Sequence, residues 1–338
     1  MRHSLIGRRG FIRVSSLASC FALYGCKFTP NTPIDNPTLT SYEGILPESI
    51  ISNLPLSWRF KLLRYKRQEN PYMTLAQENF DFLAIGDGWL QELSIDSFAS
   101  FGDHELFDNL NIKAKEFLKN FDSQISKKIL PIGYSPWVML FRNGEKLLPE
   151  AKETWKVLLK KELKDQLVLP NSSRVVMALA DKIEGKDVLR DLRGQAKTFD
   201  DRNALNWVIS GKAKAAVMPL QNCITSVLRD PRLNVVIPLE GAPLNWTLLL
   251  KSGASQFSVP SSLITTTFKR PLLTKLLLDG WIPPIDFSKV INIVKLLPEQ
   301  SKSIYGLSQE SYKNFWSLEP LTDLNQSTLE SRWNSSLP

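Results

Sequence analysis

Two rhythms of apolar and polar residues run along this chain. Short extended or apolar runs at 38–42, 80–85, 138–141, 167–170, 215–219, 234–238 and 247–250 predict strands. Between them, apolar residues recur every three or four positions, and those stretches predict helices. The first follows Pro47-Glu48, a proline and an acid placed as at a helix start. The strongest is Leu110, Ala114, Phe117, Leu118, Phe121 and Ile125, which predicts one amphipathic helix. Others run from Trp89 to Ile95, through Trp155, Leu158 and Leu159, and behind Asn171-Ser172-Ser173, which supplies capping residues. Asp200 to Ser210, closed by Gly211, and Gln221 to Arg229 follow, then a helical run to Leu297 broken at Pro271 and Pro283-Pro284. Strands alternate with helices throughout, so the class is α/β, with mostly parallel sheets expected. Leu130 to Trp137 carries two prolines and a glycine and leads into a strand, as suits a crossover between two lobes.

The first residues follow a different pattern. Arg8-Arg9-Gly10-Phe11-Ile12-Arg13 precedes an apolar run from Val14 to Tyr24 and then Gly25-Cys26. A helix needs about 20 apolar residues to span a bilayer, and this run is roughly half that. A basic flank, a short apolar core and a small-residue exit describe an export signal. The paired arginines Arg8 and Arg9 fit a twin-arginine signal, and Leu23-Tyr24-Gly25-Cys26 fits a lipoprotein box with Cys26 as the lipid-bearing residue. Leu17-Ala18-Ser19-Cys20 is the competing box, but leaves a shorter apolar core after Arg13. Lys27 to Pro37, rich in Pro, Thr and Asn, reads as a tether. The expected location is the periplasmic face of the cytoplasmic membrane, lipid-anchored after twin-arginine export.

Composition narrows the chemistry. The 338 residues contain 43% hydrophobic and 22% charged residues, the balance of a globular protein. Four of the 42 basic residues precede Cys26, which leaves 38 against 34 acidic ones, a balance of +4. No dense block of like charge points to nucleic acid. The cysteines are Cys20, Cys26 and Cys223 and the histidines His3 and His104, so the body after Cys26 holds one imidazole and no disulfide framework. That argues against a histidine-based triad or metal cluster. No cofactor, no metal and no enzyme activity are expected. Gly86-Asp87-Gly88 lacks the third glycine of a dinucleotide loop.

Ligands of open α/β sheets bind beyond the carboxyl ends of strands. The residues placed there are Tyr42, Glu43, Asp87, Trp89, Ser135, Trp137, Ser172, Gln221 and Trp246. Aromatic faces with hydroxyls, an amide and two acids suit a small polar or cationic solute. Each has a plainer role open to it: Trp89, Trp137 and Trp246 as lobe core, Asp87 as a turn or cap residue, Ser172 as a helix cap.

Several motifs, Thr40-Ser41-Tyr42-Glu43-Gly44-Ile45-Leu46-Pro47, Phe82-Leu83-Ala84-Ile85-Gly86-Asp87-Gly88-Trp89-Leu90, Pro131-Ile132-Gly133-Tyr134-Ser135-Pro136-Trp137, Leu169-Pro170-Asn171-Ser172-Ser173-Arg174 and Pro238-Leu239-Glu240-Gly241-Ala242, resemble the solute-binding proteins of ABC importers, in the spermidine/putrescine branch. The resemblance covers most of the chain from about residue 38. It implies a two-lobed periplasmic-binding-protein fold with crossover strands as a hinge, a monomer that encloses one solute, and an ABC permease as partner. The expected division is a signal over 1–25, a tether over 26–37, a first lobe from 38–137 with 246–300, and a second from 138–245 with 301–338. One departure stands out. The branch carries an acid shortly after the aromatic of the Glu-Gly turn, whereas Leu244-Asn245-Trp246-Thr247 has none, so a second ammonium lacks its carboxylate. Two rival readings remain: a degenerate solute-binding fold serving envelope or photosynthetic-membrane assembly, and a carboxylate enzyme using Glu43 and Asp87.

Overall fold

The computed structural model describes residues 36–64, 79–259, 269–305, 312–320 and 323–338. Arg8, Arg9, Cys20, Cys26 and nearly all of the tether lie outside the described residues. The strands are β1 (Thr38–Tyr42), β2 (Arg59–Leu63), β3 (Phe82–Gly86), β4 (Phe98–Ala99), β5 (Ile129–Arg142), β6 (Leu167–Leu169), β7 (Ala196–Phe199), β8 (Ala215–Pro219), β9 (Leu233–Val236), β10 (Pro243–Ser252) and β11 (Trp316–Ser317). They follow the order β2-β1-β3-β10-β5-β8-β6-β7, with β4 and β11 on β10 and β9 on β5.

The crossover is one uninterrupted strand. β5 pairs with β10 from Ile129 to Pro136, and with β8 from Trp137 to Phe141. It therefore leaves one sheet and enters the next at Pro136-Trp137. The chain returns through 237–242, between the end of β9 and the start of β10. β1 is parallel to β2 and β3, and β6 is parallel to β7 and β8. The two long strands run the other way: β10 is antiparallel to β3, β4 and β5, and β5 to β8 and β9. The mostly parallel sheets expected from βα alternation are thus mixed ones, because the strands that join the two sheets are traversed in the opposite sense.

The helix expected from Leu110 to Ile125 is two helices, Ile112–Lys119 and Ser123–Ser126. Asp122 divides them by accepting hydrogen bonds from the amides of Gln124 and Ile125, which fixes a new N-terminus. Asn111 caps the first helix in the same way, through the amide of Ala114. Trp155–Leu159 and Asp87–Glu92 form 3-10 turns rather than α-helix.

Each sheet has a continuous apolar core. In the first, Trp246 is fully buried, with Phe117 at 5.1 Å and Tyr134 at 4.9 Å between ring centroids. The second is filled by Phe141, Trp155, Leu158, Val168 and Val176. The segment after residue 300 divides between them. Tyr305 donates its hydroxyl to the carbonyl of Leu277, and Tyr312 stacks on Phe287 at 3.5 Å, both beside the first sheet. Helix Asp323–Ser335 instead reaches the second, where the Arg193 guanidinium lies 3.8 Å from the Trp333 ring centroid. Within this segment β11 pairs with β10 of the first sheet, while the Trp316 ring also lies 4.7 Å from Lys182 Nζ, just beyond helix Ser173–Ala180.

Candidate functional site

β3 ends at Gly86, and the chain turns at once into the 3-10 turn that starts with Asp87. The neighbourhood is tight: a Cβ on Gly86 would lie 3.5 Å from Trp89 Cδ1 and 3.7 Å from Ile45 Cδ1. Tyr42, at the end of β1, stacks on Trp89 with ring centroids 6.2 Å apart. Trp89, stacked on Tyr42, and Ile45 of the 44–45 turn thus pack around Gly86, next to Asp87 in the chain.

Asp87 is buried, its side chain 6% exposed. Its Oδ1 accepts the amide of Trp246 at 3.2 Å, which ties the turn to β10. Its Oδ2 lies 3.7 Å from Nη1 of Arg174, whose side chain is 13% exposed. Arg174 belongs to the first turn of helix Ser173–Ala180, which follows β6 in the second sheet. The ion pair therefore joins the two sheets. Burial pushes the Asp87 carboxyl above its ordinary range, against the pull of the Arg174 charge and of backbone hydrogen bonds. Burial likewise lowers Arg174, opposed first by Asp87 and then by the exposed Glu319.

A second set of contacts crosses nearby. Gln221 follows β8; its Nε2 donates to the carbonyl of Gly44 at 3.0 Å, and its amide donates to Ser135 Oγ at 2.9 Å. Ser135 Oγ in turn donates to the carbonyl of Gly280 at 2.8 Å. Gly280 has φ +74°, and a Cβ there would sit 2.8 Å from the Gln221 nitrogen, so a glycine is required for this approach. Three buried polar atoms in this region have no hydrogen-bond partner: Asp87 Oδ2, Arg174 Nε and Gln221 Oε1. Buried polar groups are ordinarily satisfied, and exceptions ask for a reason.

The structure separates the nine candidates. Tyr42, Asp87, Trp89 and Gln221 surround this region, with Glu43 exposed on the adjoining turn. Ser135 is fully buried and uses its hydroxyl to join Gly280 and Gln221. Trp137 is buried at the crossover, paired with Pro219. Ser172 heads the Arg174 helix, half-buried, with no side-chain capping bond. Trp246 lends only its amide, because its ring is in the first core and its Nε1 donates to Ser317 Oγ at 2.9 Å. Thr247 is buried and accepts from Trp281 Nε1 at 3.1 Å, so the place of the missing acid is taken by a core contact. Arg174 was absent from the candidates. A cation in the first turn of a helix is disfavoured by the helix dipole, and that misplacement is the signal that marks it.

Among the described residues no group of three or more His, Cys, Asp or Glu side chains is placed to hold a metal ion. No helix among them is long and apolar enough to cross a membrane. The region brings together opposite charges, a side-chain amide and, on the adjoining strand end, two aromatic rings.

The profile of the bacterial extracellular solute-binding proteins matches residues 77–256, more than half of the chain. No curated protein sequence matches. Among solved structures, the chain is similar to the spermidine/putrescine ABC transporter substrate-binding protein PotD of Streptococcus pneumoniae, at 14% identity and a TM-score of 0.64, over 89% of this chain and 98% of that one. It is similar to the Tp0655 (TpPotD) lipoprotein of Treponema pallidum at 12% identity and a TM-score of 0.63, over 89% and 99%. A periplasmic thiamin binding protein aligns at 11% identity and a TM-score of 0.58, over 89% and 96%. At these identities the structures speak for the fold alone, which is the two-lobed periplasmic-binding-protein fold. Together with the profile match, they place the chain in the family of bacterial extracellular solute-binding proteins.

Proposed function

We propose that this protein captures one small polar solute, bearing a cationic group, between its two lobes and delivers it to an ABC permease. The observation that carries this reading is the buried Asp87 carboxylate, with an oxygen that no hydrogen bond satisfies, two residues before Trp89 and its stacking partner Tyr42. Family membership and the similar structures, a spermidine/putrescine transporter's substrate-binding protein and a thiamin binding protein, support a cationic solute. The lobes meet along β5 at Pro136-Trp137 and along 237–242, and rotation there opens and closes the site. Export by the twin-arginine route and a lipid anchor on Cys26 are part of the same proposal; Cys26→Ala would release the protein from the membrane fraction.

A thermal-shift screen against polyamines, amino acids, metal ions, sugars and phosphates tests the reading. A solute at 100 times its dissociation constant stabilises the fold by about 2.7 kcal/mol. A second reading, an envelope interaction or assembly factor on a degenerate solute-binding fold, is favoured by one observation: side chains of the protein itself, Arg174 and Gln221, bridge the two lobes. Silence across the screen from a folded protein would move the assignment to that second reading.

A further inference from the structure

The three atoms without a hydrogen bond are not of one kind. Asp87 Oδ2 and Gln221 Oε1 accept hydrogen bonds, whereas Arg174 Nε donates one. Gln221 is oriented by its Nε2 bond to Gly44, which leaves the oxygen as the open end of the amide. Asp87 follows β3 of the first sheet, and Arg174 and Gln221 follow strands of the second, so a solute between the sheets meets an acceptor from the first and a donor from the second.

The charges sharpen this. Asp87 and Arg174 face each other at 3.7 Å, and each is largely withdrawn from water. A group that enters between them parts a buried ion pair, and parting is offset only when each charge meets an opposite one. A polycation satisfies Asp87 and leaves Arg174 beside a like charge, with only the exposed Glu319 to offset it. A dianion does the reverse. A neutral polyol supplies hydrogen bonds but leaves both charges parted. Thr247, already engaged by Trp281, gives a second ammonium no carboxylate.

From these observations we infer that the solute is a zwitterion, with its ammonium on Asp87 and its carboxylate on Arg174. This rests on the solute-capture reading and names the class of solute that it takes. The site would then prefer an amino-acid-like molecule over a polyamine.

The test is calorimetric titration of the full chain with four probes of equal carbon number: γ-aminobutyrate, putrescine, succinate and a butanediol. The amino acids of the thermal-shift screen widen the zwitterion set. The expected result is that a zwitterion binds at least about tenfold more tightly than putrescine, succinate and the diol. Arg174→Gln should weaken the zwitterion by about tenfold or more and improve putrescine, because Asp87 is released from its partner; a gain of binding is not produced by a damaged fold. Tightest binding of putrescine, succinate, the diol or a screen solute without both charges would overturn the zwitterion and leave solute capture standing. Silence from every probe and every screen solute would overturn both.

Discussion

The Asp87–Arg174 pair can be weighed by a double-mutant cycle with Asp87→Asn, Arg174→Gln and the double variant. Opposite charges about 4 Å apart attract by about 4 kcal/mol at the effective dielectric of about 20 that suits protein sites. Desolvation of both groups offsets much of that, so the pair adds little net stability. Removal of one partner leaves the other buried and uncompensated, which costs about 3–5 kcal/mol. Each single variant should therefore lose about 3 kcal/mol. The double variant should lose no more than either single, which gives a coupling energy of at least about 3 kcal/mol. Urea denaturation of the four proteins at neutral pH measures it. The coupling should fade on acidification, because the raised Asp87 pKa means that this carboxyl holds its proton above the ordinary range. Near-additive single effects, with coupling below about 0.5 kcal/mol, would refute a direct interaction between the lobes through this pair.

Other outcomes follow from the same geometry. Trp246→Phe removes the Nε1 bond to Ser317 and some core volume, a loss of about 2 kcal/mol, while solute affinity stays unchanged because only the Trp246 amide reaches Asp87; denaturation and titration on one sample separate the two. Gly280→Ala, at φ +74° and against the Gln221 backbone, should cost about 2–3 kcal/mol in urea denaturation. Tyr134 donates to Tyr312, which also accepts from Asn111, and burial raises both phenols, Tyr312 to about 12. Their folded pKa values lie above the ordinary 10.0, so this stability is complete below pH 10 and is lost as pH rises through the folded values. Tyr312→Phe should flatten that alkaline loss, read as stability against pH from 9 upward.

The layout was legible where local chemistry and tertiary packing agree. The apolar runs at 82–85, 138–141 and 215–219 became buried strands, and the proline-bearing stretch before Trp137 became the strand that joins the sheets. β2 escaped notice because Arg59 and Lys61 interrupt its apolar residues; it is a mostly exposed edge strand held by its register with β1. The site was legible by type rather than by contact. Asp87 and the Tyr42–Trp89 pair lie at strand ends, where strand-then-turn patterns place them. That Trp246 turns its ring into the core is decided by Phe117 and Tyr134, far away in sequence. Arg174 meets Asp87 only once two sheets are set against each other, and no spacing along the chain encodes that.

In the proposed binding mode the solute lies between Asp87 and Arg174. The most direct test of that mode is calorimetric titration of the best solute from the screen into the native protein, Asp87→Asn and Arg174→Gln. One solute per chain is predicted, with affinity weakened by at least about tenfold in both variants, or about 1.4 kcal/mol. Unaltered affinity in both, with the same stoichiometry, would place the solute elsewhere and contradict the account.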